Sequence, residues 1–127
     1  MATITDDALE AVARMIMGLS APSAFTYMAT GTSATAESET HTALGNENLS
    51  NGAQRAVATT SYPGLGISQW SILYAFTGAV TIRELGIFNA LVAGTMYMRH
   101  VLSENKNYSD AESVEITIQN YSTRVSL

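Results

Sequence analysis

From Ser23 onward the apolar residues recur at every second position, and no other feature restricts the fold as much. Successive side chains of a β-strand point to opposite faces, so a period of two marks a strand with one face buried. The strongest instance is Ile67 to Thr77, where Trp70, Ile72, Tyr74 and Phe76 share one face and Gln69 and Ser71 lie on the other. Near the end, Val114, Ile116 and Ile118 alternate with Glu115, Thr117 and Gln119 in the same way. Ala24 to Ala29, Gln54 to Tyr62, Val80 to Phe88 and Thr95 to Leu102 read as further strands. Asn51-Gly52, Pro63-Gly64-Leu65-Gly66, Gly78-Ala79 and Asn89 to Gly94 punctuate them, and Ser103 to Asp110 reads as a polar loop.

Residues 6–17 break the rule and predict the one helix. Leu9, Val12, Ala13, Ile16 and Met17 follow the spacing of a single apolar helical face, expected to pack on a sheet, the alternative being that it docks on a neighbouring subunit. Thr5 can cap it, Asp6, Asp7 and Glu10 suit the positive end of its dipole, and Gly18 can end it. Residues 32–50 lose all pattern, and Leu44 and Leu49 are their only large apolar residues. So long a segment without structure of its own is usually functional or disordered. It is read as either an extended interaction arm or a plain surface loop. The expectation is a single domain over 1–127, mainly β, with a core over 23–30 and 53–120. An antiparallel β-sandwich or partly closed barrel of about six or seven strands, with one N-terminal helix, fits the pattern.

Composition narrows the function. There is no cysteine among the 127 residues, which removes disulfides, thiolate metal sites and cysteine nucleophiles. Five Arg and one Lys are scattered singly, and the net charge is −5, the opposite of a nucleic-acid-binding patch. No apolar run approaches the ~18 residues of a membrane span, and the acidic opening lacks the basic start of a signal peptide. The chain is therefore expected to stay in the cytoplasm until it assembles. Charged residues make up only 13% of it, so the surface must be covered by Thr, Ser, Ala and Asn or by another protein, which points towards assembly.

No catalytic constellation emerges. His41 lies in the polar segment and His100 beside Arg99, neither in a nucleophile motif. Glu37, Glu39 and His41 alternate, so an extended arm would place them on one side; a metal is conceivable there, but solvated polar residues are the expectation. Gly64 and Gly66 make a turn, because no Gly-Lys-Ser/Thr and no helix follow them. The Asn-x-Ser triplets at Asn48, Asn107 and Asn120 are chance matches in an Asn- and Ser-rich chain. Adjacent Arg83 and Glu84 must point to opposite faces of their strand, so one of them needs a partner for a buried charge. Arg55, Arg99 or Arg124 could pair with Glu84, and Glu104 or Glu112 with Arg83, within the chain or across a subunit interface.

One stretch is recognisable. Ile82-Arg83-Glu84-Leu85-Gly86-Ile87-Phe88-Asn89-Ala90, followed by Gly94-Thr95-Met96-Tyr97-Met98-Arg99, resembles a motif of tailed-phage structural proteins. Those proteins carry a Glu-x-Gly-aliphatic-Phe-Asp/Asn-Ala strand, a short turn, and a Gly-Thr-Met-x-x-Arg strand. Phe25-Thr26-Tyr27-Met28-Ala29-Thr30-Gly31-Thr32 is similar to another of their elements, and Arg55-Ala56 and Glu115-Ile116-Thr117-Ile118 match two more. The Arg83-Glu84-Leu85-Gly86 segment also resembles the attachment domain of contractile-phage tail fibres. Here the turn reads Leu91-Val92-Ala93-Gly94, more apolar than the family's.

The resemblance implies a non-enzymatic virion protein without cofactor. The leading form is a capsid decoration (cement) protein, a homo-oligomer, most simply a trimer, bound to the major capsid protein. The alternatives are a tail-tip or fibre-attachment adaptor contacting tail or baseplate proteins, and a ligand- or carbohydrate-binding sandwich using Trp70 and Tyr74. Partner contacts are expected at Glu37, Glu39, His41, Leu44, Leu49, Arg83, Glu84, Leu91 and Val92. Gly86, Phe88, Asn89, Trp70, Gly94 and Arg99 are expected to determine the fold, with Gly86 admitting a neighbouring strand or the Trp70 ring. Residues 2–5 and 120–127 are free ends or swapped arms, Tyr121, Val125 and Leu127 favouring the latter.

Overall fold

The computed structural model describes residues 2–20 and 22–122; Arg124, Val125 and Leu127, named above, lie outside them. Two antiparallel sheets face each other as a sandwich, with no closed barrel. The larger contains β1 (Thr3–Ile4), β2 (Tyr27–Gly31), β3 (Ala56–Val57), β6 (Val80–Phe88) and β7 (Met96–Tyr108), in the order β1-β7-β6-β2-β3. The smaller contains β4 (Thr59–Gly64), β5 (Ile67–Ala75) and β8 (Ser113–Tyr121), in the order β4-β5-β8. The helix α1 (Asp6–Ile16) lies against β7.

The alternation in the sequence becomes the core between the sheets. Trp70 and Tyr74 from the small sheet, and Phe76 just past the end of β5, meet Met28, Val80, Ile82, Leu85, Ile87 and Met98 from the large one. Their polar atoms are provided for, since the Trp70 indole N–H donates to the Phe25 carbonyl at 2.6 Å and the Tyr74 hydroxyl to that of Met28 at 2.9 Å. With 5% and 3% of their surfaces exposed, Trp70 and Tyr74 are core residues and present no aromatic platform to a sugar.

Strict alternation fails at two places in the large sheet, and both matter. Opposite Arg83 the register slips, so that Ile82 pairs with Lys106 and Glu84 with Val101. Val80 and Ile82 thus face the core, and beyond the slip Leu85 and Ile87 do, which turns Glu84, Gly86 and Phe88 to the outer face. A second slip at Tyr97 lets Met96 face outward and Met98 inward. The outer face then holds its own apolar cluster of Ala29, Leu44, Phe88 and Met96.

Several boundaries differ from the sequence expectation. The segment 54–62 is two strands in different sheets, because the chain crosses over at buried Ala58. Strand pairing begins at Tyr27, whereas residues 23–26 precede the ladder. The polar loop expected over 103–110 is strand as far as Tyr108; its side chains through Asn107 are exposed on both faces, so no apolar alternation could mark it. Residues 2–5 are no swapped arm, since Thr3 and Ile4 pair with Arg99 and Met98 of their own chain.

The helix is capped as expected, with the Thr5 hydroxyl accepting from the Ala8 N–H at 3.1 Å, and it ends at Ile16 with Met17 as its cap. The face it buries is a different one. Ala8 and Ala11 lie against the sheet, where small side chains permit close approach, while Leu9, Met15, Ile16 and Met17 are exposed. Apolar residues cover so wide an arc of this helix that their spacing cannot say which part is buried.

Candidate functional site

The sequence motif of β6 and β7 converges on the outer face of the large sheet, and residues 32–50 are folded onto it. Its centre is the Glu84 carboxylate. Glu84 and Arg99 are 0% and 1% exposed, and Arg99 Nε donates to Glu84 Oε1 at 2.9 Å. Three loop amides complete the shell: Ser33 N and Asn46 N donate to Oε2, both at 2.9 Å, and Gly45 N to Oε1 at 2.8 Å. Arg99 Nη1 in turn donates to the Thr35 carbonyl at 2.8 Å. A carboxylate buried without such partners would be neutral. Burial pushes the Glu84 carboxyl up, but Arg99 and the amides of Asn46, Gly45 and Ser33 outweigh it and hold it below the usual carboxylate range.

Apolar packing completes the lid. Leu44 is buried against Gly86, where an added Cβ would come within 2.9 Å of Leu44 Cδ2 and 3.0 Å of Phe88 Cε1. The close approach that Gly86 permits is therefore by Leu44 of the loop, and neither a strand nor Trp70 occupies that place. At the far edge the Glu37 carboxylate accepts from the Thr3 hydroxyl at 2.8 Å and from the Val101 N–H at 2.7 Å, with His100 Nδ1 at 3.3 Å. Burial raises the Glu37 carboxyl, and Val101, Thr3 and His100 together bring it below its ordinary value.

The neighbouring turn, residues 89–94, carries the apolar tip. The Asn89 side-chain oxygen accepts from Thr95 N at 2.7 Å, and Ala93 and Gly94 adopt positive φ of 55° and 74°. Arg55, expected as a candidate mate for Glu84 and as part of the Arg55-Ala56 match, is the brace. It lies over the Phe88 ring at 3.6 Å, donates to the Ala90 and Ala93 carbonyls at 2.9 and 2.7 Å, and pairs with Glu47. Leu91 and Val92, held on this mount, remain 56% and 79% exposed.

The expected contact residues thus divide. Leu49, Leu91 and Val92 are exposed and free to meet a partner, and Glu39 is exposed as well, its carbonyl accepting from the Asp6 N–H at the start of the helix. Leu44, Glu84 and Glu37 are committed within the chain, Arg83 reaches Asn105 Oδ1 at 3.3 Å, and His41 lines a small cavity with Thr35, Gly45 and Arg99. Glu84 therefore makes an internal ion pair and no intersubunit bridge. Residues 32–50 are no extended arm, because a buried carboxylate gathers their amides.

Glu37, Glu39 and His41 are not brought together, and among the described residues no group of three or more His, Asp or Glu side chains is placed to hold a metal ion. No described helix is long and apolar enough to cross a membrane. Three signals foreshadowed the lid: a charge at Glu84 in need of a mate, with Arg99 among the candidates, a glycine inside a strand, and Leu44 in a polar run. No protein-family model matches this chain, and no curated protein is significantly similar to it.

Proposed function

We propose that this chain is a non-enzymatic structural protein of a tailed-phage particle, a capsid decoration protein that assembles with copies of itself and stabilises the shell by bridging its subunits. The observation that carries the reading is where the motif residues go. Glu84, Gly86 and Arg99 hold the 32–50 loop on the outer face, and Phe88, Asn89 and Gly94 with Arg55 order the adjoining turn, whose exposed product is the Leu91-Val92 tip. Ordering that tip in advance lowers the entropic cost of a contact. The exposed apolar face of α1 offers a second contact surface. Many weak contacts repeated over a lattice then add to a stable coat.

A tail-tip or fibre-attachment role is the second reading, favoured by the Arg83-Glu84-Leu85-Gly86 segment and its resemblance to tail-fibre attachment domains. Quantitative mass spectrometry of purified particles separates the two. A copy number that scales with the capsid lattice supports decoration, and one that matches the tail symmetry supports the adaptor. Absence from particles overturns both.

A further inference from the structure

A sandwich of open sheets has edge strands, and unpaired edges invite pairing with other chains. Three of the edges here are blunted. β1 and β3 are two residues long each. β4 carries Pro63 and an irregularity between Ser61 and Gly64, and its side chains are mostly exposed. Where β7 extends past β1, the Glu37 carboxylate occupies the Val101 N–H, and the strand bulges opposite Arg83.

β8 has none of these devices. Its nine residues pair with β5 in one unbroken register, it contains neither proline nor bulge, and among the described residues nothing pairs with its other edge. Beside that edge, between the two sheets, lies a groove of about 350 Å³ whose walls include Leu85, Met98, Leu102 and Ile118. A regular edge over an apolar groove fits an added strand.

We propose that this edge binds the β8 edge of a second copy, antiparallel about a two-fold axis through Thr117, so that the two small sheets join into one of six strands. The sequence of β8 selects the partner. A two-fold at Thr117 pairs all nine residues and sets Ile116 opposite Ile118 on the groove side. On the outer side it sets Glu115 opposite Gln119 and Thr117 opposite its own copy, with no like charges facing each other. A two-fold at Glu115 would oppose two carboxylates. An isologous contact of this kind closes on itself and does not propagate as a fibre. The inference rests on the reading that copies of the chain associate, and is independent of where in a particle they stand.

Sedimentation of the purified full chain over a range of concentrations tests it, with Thr117→Lys and Gln119→Lys as variants at exposed positions that preserve the fold by circular dichroism. The wild type is expected to form a dimer. Thr117→Lys, which opposes two ammonium groups, should weaken it by at least about tenfold. Gln119→Lys, which faces each new lysine with a Glu115, should tighten it. A wild type that is monomeric throughout, or a dimer that Thr117→Lys leaves unchanged or strengthens, overturns the proposal. A dimer absent from particles would sink the virion reading and leave the edge pairing standing; incorporation of a monomeric protein would do the reverse.

Discussion

The two faces of the large sheet are packed by different physics. Its inner face meets the small sheet through Met28, Ile82, Leu85 and Ile87, apolar side chains that need only shape and exclusion of water. Its outer face is covered by a polar loop with little to bury, and the loop stays because a carboxylate and a guanidinium satisfy its amides and a carbonyl. The first arrangement degrades gradually when a methyl group is lost. The second depends on a few charged groups, and removing one leaves the others buried without partners.

That contrast predicts an ordered set of effects. Glu84→Ala should be the most damaging, costing about 3–5 kcal/mol, because it strands Arg99 and three loop amides together. A conservative change on the inner face, Ile82→Val, should cost only about 0.5–1.5 kcal/mol by the same denaturant titration. Equal costs would erase the distinction between the faces. Next comes Gly86→Ala, which drives a methyl group into Leu44 and Phe88 and should cost about 1–3 kcal/mol. The Gly86→Ala/Leu44→Ala double change should cost less than the sum of the two, since the truncated leucine makes room.

Acid should act on the outer face first. The folded-state pKa values of Glu84 and Glu37 both lie below their ordinary value, about 4.3 in an unfolded chain. Their contribution to stability is therefore complete above that value and is lost as the pH falls through the lower folded-state values. Thermal melts should show stability falling over that acid range, and Glu84→Gln should flatten the fall. The smallest effect belongs to the tip: Leu91→Ser and Val92→Ser should change stability by no more than about 0.5 kcal/mol while reducing incorporation into particles. Large destabilisation there would make the tip part of the fold and remove it as a contact surface.

The same contrast explains what the sequence could reveal. Alternation at Trp70, Tyr74, Ile116 and Ile118 is a local signal of an apolar face, and it located the sandwich. The outer face has no period. Glu84 meets Ser33, Gly45 and Asn46 across separations of 38 to 51 residues, and a backbone N–H leaves no trace in residue type. The register slip at Arg83, which turns Glu84 outward, is equally silent, since it depends on Leu102 to Asn105 of another strand. Gly86 announced that something approaches closely, but only the fold says that it is Leu44. Arg55 looked like one more scattered cation until Glu47, Phe88 and the 89–94 turn were assembled around it. The helix misled because Ala8 and Ala11 are its buried residues, whereas Leu9 and Ile16 stay exposed.

Amide hydrogen exchange at Ser33, Gly45 and Asn46 in the native protein tests the account most directly, because these three N–H groups exist as protected donors only if the Glu84 carboxylate holds the loop down. The account predicts protection comparable to the amides of β6 and its loss in Glu84→Gln. Exchange of all three at the rate of an unstructured peptide in the wild type would contradict it.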